Sequence, residues 1–122
     1  MRAAAALVLS AALLAGCGSD GDKRFADRGN AICRETKRKS VALAPQTPNY
    51  RAKLSAIGRD GHRRLKALEP PPHLRATRDR FFADLAELQR LAVRQGNRAK
   101  AVDIVNRLPV EARALGWGDC AG

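Results

Sequence analysis

Apolar positions along this chain form one long run and then four stretches with helical spacing. The run, Ala3 to Leu14, is interrupted only by Ser10, follows the single charge of Arg2 and stops at Leu14-Ala15-Gly16-Cys17. It is too short to cross a bilayer, which takes about 20 apolar residues. As a buried core helix it would have no polar face to show solvent. Further on, Phe25, Gly29, Ile32, Cys33, Thr36, Ser40 and Leu43 recur every three or four residues, which predicts a helix from Asp22 to Ala44. Asp20 or Asp22 can cap its start, and Pro45 ends it.

Thr47-Pro48 reads as a cap followed by a first-turn proline, opening a second helix with Leu54, Ile57, Gly58, Gly61, Leu65 and Leu68 on one stripe. Its two interior glycines cost about 1 kcal/mol each, which close approach of a neighbouring helix would offset; the alternative is a local break. Pro70-Pro71-Pro72 stops it. A third helix, His73 to Gln95, carries Leu74, Phe81, Leu85, Leu88 and Ala92, and Gly96-Asn97 reads as a stop followed at once by a new cap. The fourth carries Ala101, Val105, Leu108, Ala112 and Leu115. Pro109 lacks a backbone donor and disfavours helix at Leu108, so a kink, or a short fifth helix starting at Pro109, is expected there. Residues Gly116 to Cys120 read as an irregular tail. No stretch alternates with a period of two. The pattern therefore predicts an all-α fold, a small antiparallel bundle of about four helices with the last kinked at Pro109.

The leader changes how the rest is divided. A positive start, an apolar segment and small residues ending at a cysteine resemble the signal peptide and lipobox of bacterial lipoproteins. That resemblance implies export, cleavage before Cys17, attachment of lipid to its thiol, palmitate among the acyl chains, and residence on the outer face of the cell membrane. No Arg-Arg pair precedes the run, which favours the general secretory route. Residues 1–16 are then signal peptide, 17–21 the lipidated cysteine and a tether, and 22–122 the helical domain. Four extended residues reach about 14 Å, so the domain is expected close to the membrane.

Of the three cysteines, Cys33 and Cys120 remain once Cys17 is assigned. An exported chain meets a compartment where disulfides persist, so a structural bridge between them, pinning the tail, is the expectation. The rival readings are two free thiols, or a redox pair; the usual two-residue spacing of such a pair beside a βα unit is absent. Phe25-x4-Asn30-x-Ile32-Cys33, the mid-chain Leu68-Glu69-Pro70-Pro71 and the closing Leu115-Gly116-x3-Cys120 together resemble small helical secreted or lipid-anchored proteins of actinobacteria. That group has no assigned activity, so the resemblance bears on fold and disulfide, not on mechanism.

Candidate chemistry is sparse. His62 and His73 flank the proline turn without a carboxylate at ligand-like helical spacing, and no phosphate loop, nucleophile elbow or paired-cysteine motif occurs. No metal, cofactor or catalytic residue is assigned. Asp79, Asp84 and Glu87 sit among arginines, the usual pattern of a salt-bridged surface rather than an acid–base pair. Charge is the one feature with functional content: 23 basic against 12 acidic residues give +11, or +10 once Arg2 leaves with the leader. Seventeen of the 23 are arginine, a bias that a GC-rich genome would produce by itself. The densest runs are Arg34 with Lys37, Arg38 and Lys39, and Arg59 with Arg63, Arg64 and Lys66. They suit anionic lipid or an acidic cell-wall polymer; nucleic acid is not expected, since export removes it and no aromatic residues interleave the charges. The plain alternative is a solvated basic face. The sequence thus predicts a non-catalytic, lipid-anchored binding or scaffold domain with no protein partner identified. The competing readings are a module with an apolar pocket inside the bundle, lined by Ile57, Phe81 and Leu85, and an enzyme.

Overall fold

The computed structural model describes residues 19–93 and 97–122; the leader run, the lipidation of Cys17 and the Gly96 stop lie outside them. Four α-helices follow in order: α1 Ser19–Ala42, α2 Tyr50–Lys66, α3 Arg75–Val93 and α4 Arg98–Ala114, with 3-10 turns at Pro72–Leu74 and Gly118–Cys120. No strand occurs among the described residues. The helices form two hairpins, α1 against α2 and α3 against α4. Both are antiparallel. Thr36 meets Gly61 while Glu35 meets Arg64, and Asp84 meets Arg107 while Glu87 meets Lys100, so one index rises as the other falls.

Several boundaries differ from the pattern. Ser19 to Gly21, read as tether, already belong to α1, whose first turn carries Asp20 and Asp22 where the helix dipole favours negative charge. The cap of α2 is not Thr47. Residues 44–49 form turns, Tyr50 N–H donates to the Thr47 carbonyl, and Asn49, at φ 59°, is the cap residue without a side-chain bond. Asparagine tolerates that left-handed conformation better than other non-glycine residues. Asn97 is a cap as expected, its side chain accepting from Lys100 N–H at 3.2 Å. Pro109 lies inside α4 and starts no fifth helix. The carbonyl it leaves without a helical donor is that of Val105, an exposed residue.

The core lies between the hairpins and is built on the tail. Phe25, Ile32, Leu65, Phe81, Phe82, Ala112, Leu115 and Trp117 form one buried cluster, with Leu68, Leu74, Leu85 and Leu108 packed against it. The α1 stripe is placed as its spacing predicts, with Phe25, Gly29 and Ile32 buried. On α4 the buried residue is Ile104 at 0% exposure, not its neighbour Val105 at 51%. Both positions fit three- and four-residue spacing from Ala101 and Leu108, so the pattern alone does not separate them. Phe82, one residue off the α3 stripe, is buried as well, because it stacks on His62 of α2 while Phe81 meets Trp117 edge-on.

The tail is not irregular. Gly116, at φ 78°, ends α4 in a Schellman motif: Trp117 N–H bonds the Ala112 carbonyl at 2.8 Å and Gly116 N–H bonds that of Arg113 at 2.9 Å. This reversal turns Trp117 inward, where it is 0% exposed and donates from Nε1 to the Phe25 carbonyl at 3.2 Å. Gly29 makes the space: a Cβ there would lie 2.1 Å from Trp117 Nε1. Asn30 then fastens the tail from both sides, its amide donating to the Gly116 carbonyl and its oxygen accepting from Asp119 N–H, each at 3.0 Å. Arg34 pairs with Asp119 at 2.6 Å. A disulfide joins Cys33 to Cys120, with Cα atoms 5.3 Å apart. One face of α1 therefore receives the whole C-terminal segment.

Candidate functional site

The eight basic side chains picked out by the sequence do not form one patch. The fold assigns several of them to neighbours. Arg34 holds the tail through Asp119. Glu35 takes Lys39 from its own helix and Arg64 from α2, both at 2.9 Å, and these two cations hold its carboxyl down at about 2. Arg63 pairs with Asp60 one turn earlier on α2. Arg59 donates to Ser55 Oγ at 3.0 Å. Among the described residues, no carboxylate lies within ion-pair distance of Lys37, Arg38, Arg59 or Lys66. Lys37 and Arg59 line the same groove, where α1, α2 and α3 meet, whereas Lys66 lines a separate depression beside Arg78 and Asp79.

That groove differs from the expected pocket inside the bundle. Phe81 is 5% exposed and packed into the core; Leu85 does line the groove, but Ile57 does not. The two α2 glycines also differ in role. A Cβ at Gly61 would come within 2.5 Å of Thr36 Oγ1, so this glycine permits the close α1–α2 approach, while at Gly58 nothing lies within 4 Å.

The histidines are placed apart. His73 Nε2 lies 3.0 Å from Asp22 Oδ2, joining the proline turn to the start of α1, and His62 stacks at 5.2 Å on Phe82, nearly parallel. No group of three His, Cys, Asp or Glu among the described residues could hold a metal ion.

The acidic residues of α3 divide. Glu87 is a salt-bridged surface group, held by Arg90 and by Lys100 of α4, which keep its carboxyl at about 2. Asp84 is different: its side chain is 17% exposed and binds Arg107 through two nitrogens, at 2.9 and 3.3 Å. It also meets Glu111 of α4. Burial first, and the Asp84 carboxylate second, push Glu111 up to about 7, against the pull of Arg107 and Arg80, while Arg107 draws Asp84 down. Glu111 Oε2 is buried without a hydrogen-bond partner, a setting that favours the neutral carboxyl. A carboxyl raised in the folded state contributes stability that is full below its unfolded value and lost as pH rises through the folded one. Stability should therefore fall between about pH 4.5 and 7 on account of Glu111; Asp84 acts in the opposite sense at lower pH. Glu111→Gln, which keeps the donor and cannot ionise, should melt several degrees higher than wild type at pH 8 and at nearly the same temperature at pH 4. Equal shifts at both pH values would show that folding does not raise the Glu111 carboxyl above its ordinary range.

Comparison with protein-family models, curated proteins and solved structures finds no match.

Proposed function

We propose that this protein is a lipoprotein of the cell envelope whose helical domain, held to the membrane through Cys17, binds or scaffolds anionic material without catalysis. The observation that carries the reading is the leader-shaped run ending in Leu14-Ala15-Gly16-Cys17. Two structural features support it. The disulfide suits an oxidising compartment, and α1 begins only two residues after Cys17, so little chain separates the domain from its anchor. No described helix is long and apolar enough to cross a membrane.

Distance along α1 constrains how the charges act. Lys37 stands 18 residues beyond Ser19, about 27 Å at a rise of 1.5 Å per residue, whereas surface potential decays over roughly 10 Å. Headgroup contact by Lys37 and Arg38 thus requires the α1–α2 hairpin to lie along the membrane. An upright domain presents them to wall polymer instead.

The test has a lipid arm and a charge arm. The full chain should incorporate labelled palmitate in a bacterial host, and the Cys17→Ala chain should not. A chain starting at Gly18 should bind anionic vesicles or acidic wall polymer at low salt and release as salt rises. Changing Lys37 and Arg38 to Glu, which leaves the Arg34–Asp119 and Lys39–Glu35 pairs in place, should sharply weaken that binding. Labelling of Cys17→Ala would overturn the anchor; indifference of the Gly18 chain to both anionic surfaces would overturn the charge reading.

A further inference from the structure

We propose that the groove between α1, α2 and α3 is a binding site for a single-chain phospholipid, with its acyl chain along Leu65, Leu85 and the bare backbone at Gly58 and its phosphate at Lys37 and Arg59. The site goes beyond anchoring: it would hold a second lipid molecule, on the domain itself.

Three observations carry this. The groove wall is more apolar than polar, with Leu65 and Leu85 at its floor. Gly58 has no packing reason to lack a side chain. Unlike Gly61 it meets nothing within 4 Å, yet an interior glycine costs a helix about 1 kcal/mol; what its missing side chain leaves is open space in this groove. Finally, the charges lining the groove are all of one sign. Lys37 and Arg59 line it and no carboxylate does, while Lys39, Arg63 and Arg64 nearby are each paired with an acid.

The ligand class follows from combining these surfaces. A neutral apolar molecule would fill the floor and leave two cations uncompensated. Free phosphate would satisfy the cations and leave the apolar floor wet. A phosphate monoester carries about −1.5 to −2 charge at pH 7, matching two cations better than the single charge of a fatty acid. Arginine also offers the planar donor fork that phosphate oxygens accept, and Ser55 engages only one nitrogen of Arg59.

The test uses the full chain in neutral phosphatidylcholine nanodiscs with a photoreactive lysophosphatidic acid. Crosslinks should concentrate around Gly58, Leu65 and Leu85. Unlabelled lysophosphatidic acid should compete at least tenfold better than palmitate or a monoacylglycerol of the same chain length. Gly58→Leu, whose side chain enters open space, should cut labelling at least tenfold while helicity and the disulfide are retained. Lys37→Gln with Arg59→Gln should remove the preference for the phosphate lipid over the monoacylglycerol. Labelling spread over the whole surface, unchanged labelling of Gly58→Leu, or palmitate competing as well as the phosphate lipid would overturn the proposal. None of these outcomes touches the palmitate labelling of Cys17, so the anchor and the groove stand or fall separately.

Discussion

Replacing Trp117 by alanine should lower the melting temperature by roughly 15 to 30 °C. The side chain is 0% exposed and gathers three of the other four aromatic residues around it, with ring centroids 4.8 Å away for Phe25, 5.7 Å for Phe81 and 6.3 Å for Phe82. Removing a buried tryptophan costs about 3–5 kcal/mol, and in a domain of this size each kcal/mol shifts the midpoint by roughly 4–8 °C. The loss is a large share of the total stability of about 5–15 kcal/mol that a domain has. Trp117→Phe should fall between the two, losing the hydrogen bond to the Phe25 carbonyl but keeping most of the area. Gly29→Val should approach the alanine effect from the other direction, because its side chain needs the volume the indole occupies. Thermal melts followed by circular dichroism measure all three. A fall of less than 5 °C for Trp117→Ala would show that the tail is not part of the core.

Reducing the Cys33–Cys120 bridge should have an effect of similar size but a different character. The closed loop spans 87 residues, for which loop-closure entropy in the unfolded chain is worth about 4–5 kcal/mol, with observed values of about 2–5. That corresponds to a fall of roughly 10 to 30 °C in the midpoint. The folded state should nonetheless survive at low temperature, because Trp117, the two Asn30 bonds and the Arg34–Asp119 pair hold the tail without the covalent link. Near-UV circular dichroism of the buried indole should therefore persist in reductant at 10 °C while the melt moves down. Alkylation of the unreduced folded protein should find neither thiol; labelling of both would mean the bridge is absent.

What could be read from the sequence was local. Helix stripes and the Asn97 cap depend on residues a few positions apart, and most were placed as predicted. Trp117 was missed because it lies past the last stripe, between two glycines, where periodicity gives no signal. The signal that could have found it is the order Leu115-Gly116-Trp117: a stripe residue, a glycine fit for the left-handed position, then an apolar residue to be folded back. Ile104 and Val105 are adjacent and chemically alike, and only the direction of approach of α3 distinguishes them. The basic residues were visible, but their partners were not. Arg34 and Asp119 are 85 positions apart, and Arg64 reaches Glu35 on another helix, so spacing could not reveal which cations the fold uses internally. Likewise both α2 glycines look the same in sequence, and only packing shows that one is filled by Thr36 and the other faces open space.

The bridge also decides how the domain would carry a load. A pull between the start of α1 and Gly122 travels through residues 19–33, crosses one sulfur–sulfur bond and leaves through the last two residues. Residues 34–119, which contain all of α2, α3 and α4, lie in a covalent ring off that path and bear no direct tension. Force would first have to unwind the opening half of α1, where Trp117 and Asn30 resist it. A domain pulled between these two ends could thus lengthen by only about fifteen residues before the chain is taut, because the other three helices lie outside the stretched path.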